Sequence, residues 1–539
     1  MTPRPPHIVC FAPYADWTLH SARQVTILQG LRQRGCTVSA VLCDGVFSDC
    51  DMHQPFTDGP QHRPAKACLL CQAGAAGHFA KWGMPYRWLG RWLDADDFNT
   101  SAAWVTGLKP ATYPDAVWNG WELGDWVKSS LHSHFRHNVL DLSDPRVAQA
   151  YASYLNSARL AAVALSRLYD EEKPDVQLTM NGRMGVLRVA LELAKQRGIR
   201  TLCEERAYVL ERMMLFDNVH CLDNTALNRL WRDWQDIPLT VSEIDDLAAV
   251  LHRRWTGSSG EMVISPPMAD TGRILSDLGF DPNRPVWALF TSCVDECISD
   301  PSWGGVFPSQ ETWIEATLAY IARHPNLQLV IRVHPNTGSL RAIRSNPQEL
   351  AYFAALANRL PDNVRLVDSA ATVSSYGLAA AAQVGLIWYS TVGLEMATMG
   401  RTVVRAGGGW CPGKSFLRHA DDPAAYERFL DEVAARPEIT PAATVAAWRF
   451  AYLFFLRQSL PFPLVDIPHW SAGRMAYAGP AALAAGRDPS LDAICDAIMT
   501  GRSLVAAPPE RRSDDMAAKE ELAIGARIDD FASASHRRD

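Results

Sequence analysis

The sequence predicts an α/β protein of two domains, each a parallel sheet layered with helices, and three observations carry that expectation. The chain of 539 residues opens as strand, amphipathic helix and strand. Its second half alternates apolar runs and helical repeats with short connections, as a parallel sheet requires. Two of the apolar runs, Leu329-Val330-Ile331-Arg332-Val333-His334-Pro335-Asn336 and Trp388-Tyr389-Ser390-Thr391-Val392-Gly393-Leu394-Glu395, break abruptly into polar, helix-starting residues. Open parallel sheets bind ligands beyond the carboxyl ends of their strands, so two such edges imply one shared site.

Residues 7–13 read as a strand, 18–34 as an amphipathic helix closed by Gly35, and 37–44 as a second strand, a Rossmann-like opening. Periodicity is lost over 45–110, which is rich in Gly, Pro, His and Cys. It is too long for an ordinary loop, so a locally braced insertion is expected. Helical patterning returns at 144–170, followed by a strand at 175–180, a helix at 184–196 and a strand at 199–203, which close an amino-terminal domain of residues 1–216. Residues 217–284 are predicted to be a helical connector. Val286-Trp287-Ala288-Leu289-Phe290 then opens a second domain, 285–505. In it, helix 310–323, strand 327–333, helix 347–359, strand 364–367, helix 373–382, strand 384–389, helix 392–399 and strand 402–405 alternate. The polar remainder, 506–539, cannot bury much apolar area and is expected to be a mobile tail.

Hydrophobic residues at 48% and charged residues at 21% are ordinary for a globular protein. A net charge of −7 without a dense basic block excludes a nucleic-acid partner, so an anionic ligand has to be met locally. The amino terminus enters the first strand without the charged and apolar regions of a secretory signal, and a cytoplasmic location is expected. No apolar run is long enough for a spanning helix. The aromatic segment 448–456 is expected to be buried, with peripheral membrane association as the alternative.

Several groups gather at the predicted strand ends. Arg332 and His334 are two apart, hence on one face of an extended strand and placed to reach a phosphate, with Asn336 just beyond. Ser390 and Thr391 stand where a helix starts, where capping and phosphate binding use the same open N–H groups. Glu395 follows Thr391 by one helical turn. Thr291 and Ser292 end another strand, while Ser374-Ser375-Tyr376 and Gly407-Gly408-Gly409 with Lys414 are candidates to line a nucleoside pocket. The glycine run lacks the spacing of a dinucleotide-binding turn. The amino-terminal half offers Asn181-Gly182-Arg183 and Glu204-Glu205-Arg206 at strand ends, with Glu122 near Trp118 and Trp121 a lesser acid.

The His-Pro pattern at 334–335 and the Ser-Thr-x-Gly-x-Glu pattern at 390–395 resemble those of bacterial capsule and surface-polysaccharide glycosyltransferases of GT-B architecture. The resemblance is good over about residues 285–415 and weaker through Cys43 to Cys71, Asn181-Gly182-Arg183 and Glu204-Glu205-Arg206. His324-Pro325 repeats the dipeptide, but at the end of a polar helix. The resemblance implies two Rossmann-like domains facing a cleft, with a Cys-rich insertion, 43–110, in the first. It implies a nucleotide-sugar donor held by Thr291, Ser292, Arg332, Asn336, Ser390, Thr391, Glu395 and Lys414, with Glu395 receiving ribose hydroxyls. His334 would donate to the leaving phosphate oxygen, Asn181 and Arg183 would meet acceptor or sugar, and no catalytic cofactor would be needed.

The paired acids resemble the Asp/Glu-Asp/Glu-Gly motif that supplies the base in sialic-acid and ulosonic-acid transferases, so Glu204 or Glu205, with Glu205 favoured, is expected to activate a glycan or glycoconjugate acceptor. Arg206 replaces the glycine, which removes close backbone approach and offers an ion pair instead. That resemblance favours a CMP-activated acidic sugar over UDP or GDP sugars. A UDP-sugar 2-epimerase, a glycerophosphotransferase and a non-catalytic polysaccharide-assembly protein are the alternatives.

Of 12 cysteines, Cys43, Cys50, Cys68 and Cys71 are spaced C-x6-C-x17-C-x2-C within the insertion, with His53, His62 and His78 nearby. Four thiolates could hold a structural zinc that braces the region; reduced packing thiols are the alternative.

Overall fold

The structure is a computed structural model, and it describes residues 4–53, 65–257, 265–268, 271–338, 345–410, 413–469, 472–505, 507–509 and 514–535. In the first half, β1 (His7–Ala12), β2 (Thr37–Leu42), β3 (Tyr86–Trp88), β4 (Val176–Met180), β5 (Arg200–Arg206) and β6 (Arg212–Asp217) pair in the order β6-β5-β4-β1-β2-β3. All are parallel except β6, which runs back antiparallel against β5. Side chains alternate across the sheet, so β1, apolar from Ile8 to Ala12, feeds two cores. Val9 and Phe11 join α4 (Leu123–Phe135), α5 (Pro145–Glu172) and α6 (Gly185–Gln196) on one face, while Ile8, Cys10 and Ala12 join α1 (Thr18–Gln33) on the other. The intervening helices are α2 (Ala65–Lys81) and α3 (Ala95–Thr106). Because β1 leads to β2 on one side and β4 leads to β5 on the other, the segments leaving β1 and β4 diverge. That divergence is the switch point at which open α/β sheets form a binding crevice.

The second unit begins with α7 (Thr225–Trp234), α8 (Val241–Trp255) and α9 (Thr271–Asp277). Its sheet comprises β7 (Val286–Phe290), β8 (Gln328–Arg332), β9 (Val364–Val367), β10 (Val384–Ile387), β11 (Thr402–Arg405) and β12 (Arg418–His419), all parallel, in the order β12-β11-β10-β7-β8-β9. Helices α10 (Gln310–Arg323), α11 (Pro347–Ala357), α12 (Ser375–Ala381), α13 (Val392–Thr398), α14 (Pro423–Ala435) and α15 (Pro441–Tyr452) alternate with the strands or follow them. Here the switch point lies between β7 and β10. No described helix is long and apolar enough to cross a membrane. Trp448, Phe450, Phe454 and Phe455 are buried, as expected of that aromatic run.

Three boundaries differ from the sequence reading. The chain divides into Met1–Asp223 with Ser459–Ala506, and Asn224–Gln458 with Ala507–Asp539. Residues 459–505 therefore leave the expected second domain: β13 (Leu460–Pro461) pairs with β6, and α16 (Pro489–Thr500) packs on α1. Gly30 of α1 permits that packing, since a Cβ there would lie 3.0 Å from Leu491. The expected connector is likewise no separate element, because α7, α8 and α9 belong to the second unit. Nor is the carboxyl-terminal segment an unstructured tail. In α17 (Asp514–Ser535), Glu520 is buried, accepts the Leu239 N–H at 2.7 Å and pairs with Arg449 at 2.6 Å. The expected irregular insertion supplies α2, β3 and α3; its residues 54–64 lie outside the described residues.

Candidate functional site

At the carboxyl edge of the second sheet, the residues after β7 and β8 are tied together. Thr291 Oγ1 accepts the His334 backbone N–H at 2.8 Å. The Ser292 backbone clasps the Gln310 amide through bonds of 2.7 and 3.1 Å, and its hydroxyl accepts from Tyr389 N–H at 3.4 Å. Both side chains are buried, so these two residues join strand ends rather than present hydroxyls. Cys293 places Sγ 3.1 Å from His334 Nδ1, and the same nitrogen accepts the Asn336 N–H at 3.2 Å. A ring nitrogen that accepts a backbone N–H carries no proton, so neutral His334 is the tautomer with its proton on Nε2. Ser390 and Thr391 are partly exposed after β10; the Ser390 hydroxyl accepts the Val392 N–H at 3.4 Å, and Thr391 forms no side-chain cap.

Three predicted donor-binding residues turn inward. Strand β8 ends at Arg332, so strict alternation stops before His334 and the two side chains part. Arg332 is buried, donating to the carbonyls of Asp368 and Ala371 and to Ser375 Oγ at 3.3 Å. Burial, opposed by Asp368, lowers its pKa to about 10. Glu395 is fully buried and paired with Arg254 of α8 at 2.8 Å, and Arg254 also donates to Tyr376 Oη at 3.3 Å. Its carboxylate is thereby part of a buried ion pair. Lys414 is buried too, donating to Asn228 Oδ1 at 2.8 Å with its ammonium 4.8 Å from the Phe450 ring centroid. Ser374 caps α12, accepting the Gly377 N–H at 3.2 Å.

Arg405, which the sequence reading missed, ends β11 fully buried, and its three guanidinium nitrogens find no hydrogen-bond partner among the described residues. The available signal was an arginine closing an apolar strand just ahead of three glycines.

In the first unit, Asn181 and Gly182 leave β4 with φ of +31° and +65°. Asn181 Oδ1 accepts the Arg183 N–H at 2.9 Å, and a Cβ at Gly182 would lie 2.6 Å from Cys203 Sγ, which explains glycine there. Arg183 donates to Ser129 Oγ at 2.6 Å and Ser133 Oγ at 3.2 Å. Glu204 is fully buried; its carboxylate lies 2.9 and 3.1 Å from His20 Nδ1 and accepts from Gln24 Nε2 at 3.2 Å. Glu205 remains partly exposed and accepts from Arg206, its N–H at 2.8 Å and its Nε at 3.4 Å. Burial pushes the Glu205 carboxyl up, but Arg206, His20 and Arg183 outweigh it and hold it below the ordinary glutamate value.

His20 and Asp51 were missed by the sequence reading. Asp51 is buried beside this group, accepting from Tyr14 Oη at 2.7 Å, and its pKa is raised by burial against the opposing Ser130, Tyr14 and Arg183. Glu122 is an exposed residue ahead of α4.

Cys71 lies within reach of the charges of Cys43 and Cys68. Burial pushes the Cys71 thiol up to about 12, and the nearby charges of Asp16, Cys43 and Cys68 act in the same direction. Cys50 instead lies in the core with Tyr14, Phe47 and Tyr154. Among the described residues no group of three or more His, Cys, Asp or Glu side chains is placed to hold a metal ion. His62 and the side chain of His53 lie outside them, and His78 is on α2.

No protein-family model matches the sequence, and no curated protein matches it. Among solved structures, the chain is similar to the Thermosulfurimonas dismutans KpsC β-Kdo 2,4 transferase at 13% identity, covering 58% of this chain and 88% of that one, with a TM-score of 0.35. It is similar to the Neisseria meningitidis UDP-GlcNAc 2-epimerase bound to UDP-GlcNAc at 10% identity, covering 83% and 95%, with a TM-score of 0.27. Similarity to the spinosyn rhamnosyltransferase SpnG is 13% in identity, covering 83% and 95%, with a TM-score of 0.25. Identities and TM-scores this low leave the functional assignment to the chain's own residues.

Proposed function

We propose that the protein transfers a glycosyl group from a nucleotide sugar, with a CMP-activated acidic sugar as the leading donor, to a glycan or glycoconjugate acceptor. His334 is the observation that carries this reading. Its Nδ1 accepts from Asn336 N–H and faces Cys293 Sγ, which puts the proton of the neutral imidazole on Nε2, beside the switch point of the second sheet. A hydrogen bond given there to the departing phosphate oxygen strengthens as negative charge develops on it, which is how a fixed donor lowers the barrier. Thr391, partly exposed and without a side-chain cap bond, is the hydroxyl this reading assigns to join it. The acidic donor rests on the Glu204-Glu205 pair and the His-Pro pattern together.

Thermal melts with CMP, CDP, UDP and GDP test donor recognition, since a ligand that binds only the native state raises apparent stability. His334→Ala and Thr391→Val are expected to fold and to lose about 1.5–3 kcal/mol of donor binding or transition-state stabilisation. Unchanged donor kinetics in both would remove the site from this edge. Nucleotide release that depends on an added acceptor separates transfer from 2-epimerisation and from a non-catalytic assembly role, and a glycerophosphate-containing product would identify the phosphotransferase.

A further inference from the structure

We propose that His20 is the group that takes the proton from the acceptor hydroxyl and that Glu204 is the residue that positions it; this rests on the glycosyl-transfer reading above. The Glu204 carboxylate is occupied inside the protein. Oε1 lies 2.9 Å from His20 Nδ1 and 3.2 Å from Gln24 Nε2, while Oε2 lies 3.1 Å from the same Nδ1. A carboxylate acts only as an acceptor, so it draws the imidazole proton to Nδ1 and leaves the basic lone pair on Nε2. Of the two side chains, the Glu204 side chain is 0% exposed and that of His20 10%, so the imidazole is the member a substrate can touch.

The surrounding fold holds the pair at the switch point of the first sheet. His20 sits in the first turn of α1, directly after the segment leaving β1, and the Glu204 carbonyl accepts the Asn181 N–H at 2.9 Å, fastening the end of β5 to that of β4. Trp17 flanks the imidazole, with ring centroids 6.3 Å apart. Glu204 of β5 faces the imidazole directly, His20 also acts on the Glu205 carboxylate that Arg206 and Arg183 face, and Cys10 of β1 feels the Glu204 charge. Glu205 is a weaker proton acceptor than an ordinary glutamate, because burial, which raises its pKa, is outweighed by Arg206, His20 and Arg183, which favour its ionised form.

In the step, the acceptor O–H proton passes to His20 Nε2 as the acceptor oxygen bonds to the anomeric carbon. The bond from that carbon to the nucleotide phosphate breaks, and its electron pair leaves on the phosphate oxygen. The new imidazolium is stabilised by Glu204 until its proton is lost to water, the role a buried carboxylate plays behind a catalytic histidine.

The test compares the unaltered chain with His20→Gln, Glu204→Gln and Glu205→Gln. The donors are CMP-N-acetylneuraminic acid, CMP-3-deoxy-manno-octulosonic acid, UDP-N-acetylglucosamine and GDP-mannose, the acceptors alkyl glycosides, and nucleotide release is followed against pH. His20→Gln should lower turnover roughly 10²–10⁴-fold without weakening nucleotide-induced thermal stabilisation. Glu204→Gln should lower the rate and move the acid limb of the profile to lower pH, because the carboxylate that favours the imidazolium is gone; a merely structural residue would leave that limb in place. Turnover in His20→Gln within a few-fold of the unaltered chain, or an unmoved acid limb in Glu204→Gln, overturns the assignment. Should a variant fail to fold, ¹⁵N-histidine NMR of the unaltered chain reads the tautomer directly, and a His20 proton on Nε2 overturns it equally. No acceptor-dependent release by the unaltered chain with any of these donors removes the glycosyl-transfer reading and the base role with it, whereas the variant results strike the base assignment alone.

Discussion

Replacing Glu395 by Ala separates a structural ion pair from a ribose-binding residue. In the structure Arg254 Nε and Nη2 donate to Glu395 Oε1 at 3.1 and 2.8 Å, and the Arg254 and Glu395 side chains are 4% and 0% exposed. Burial works to lower the Arg254 pKa, but Glu395 and Tyr376 outweigh it, so the guanidinium stays charged at every accessible pH. Removing its carboxylate therefore strands a buried cation, with only the Tyr376 hydroxyl at 3.3 Å and the Phe455 ring, 5.0 Å from the guanidinium carbon, as compensation. Breaking one half of such a pair costs about 3–5 kcal/mol. At about 2–4 °C per kcal/mol for a unit of this size, the thermal midpoint should fall by about 6–20 °C. Calorimetry or circular dichroism reads the midpoint, and the nucleotide-induced shift is measured on the same sample. Arg254→Met combined with Glu395→Leu should recover much of the loss, because both charges leave together. A Glu395→Ala protein that melts like the unaltered chain yet no longer responds to nucleotide would refute the structural assignment and return Glu395 to the ribose.

Two further outcomes follow from buried charges without a full set of partners. Arg405→Met should raise stability in the absence of ligand, by up to several kcal/mol, since an unpartnered buried guanidinium is costly. If an anionic group of the donor meets Arg405, the same variant also shows a smaller nucleotide-induced shift; an unaltered or lower midpoint without ligand would contradict the burial argument. For Asp51, burial raises the folded pKa above the unfolded value of about 3.9, so the native state holds its proton more tightly. Its contribution is favourable at low pH and is lost as pH rises through that window. Asp51→Asn, which keeps an acceptor for the Tyr14 hydroxyl, should thus gain stability over the unaltered chain at neutral pH and lose that advantage near pH 4. Thermal melts across that range check the sign, and a variant less stable at neutral pH would show that the carboxylate is better solvated than its position implies.

The elements that could be read from sequence are those in which apolar period and strand length agree. Strands 364–367 and 402–405 fall at the expected residues because each is a short run centred on valine and leucine, Val-Arg-Leu-Val and Thr-Val-Val-Arg, bounded by turn residues. The return of residues 459–505 to the first unit carried no local mark, since β13 is two residues long and its pairing with β6 is set by partners about 250 positions away. The same limit governs the site. Spacing placed Arg332 and His334 on one face, but that inference holds only inside a strand, and β8 stops at Arg332. Glu395 was placed one turn after Thr391, correctly in sequence, yet the face it shares is set by Arg254 on a helix 141 residues earlier.

Tertiary pairing is also what converts the acidic pair into something chemically specific. Alternation along β5 was visible in Glu204-Glu205, and it sends one carboxylate inward and leaves the other partly exposed. Only the position of α1, 184 residues away, shows that the inward one is bonded to an imidazole. Two acids that look interchangeable by spacing thereby acquire different chemistry. One is fully buried and fixes a tautomer, while the other is held ionised by Arg206 beside it. The proton acceptor then need not be an acid, and His20, isolated in sequence from every motif, becomes the residue whose removal decides whether this edge performs acid–base chemistry.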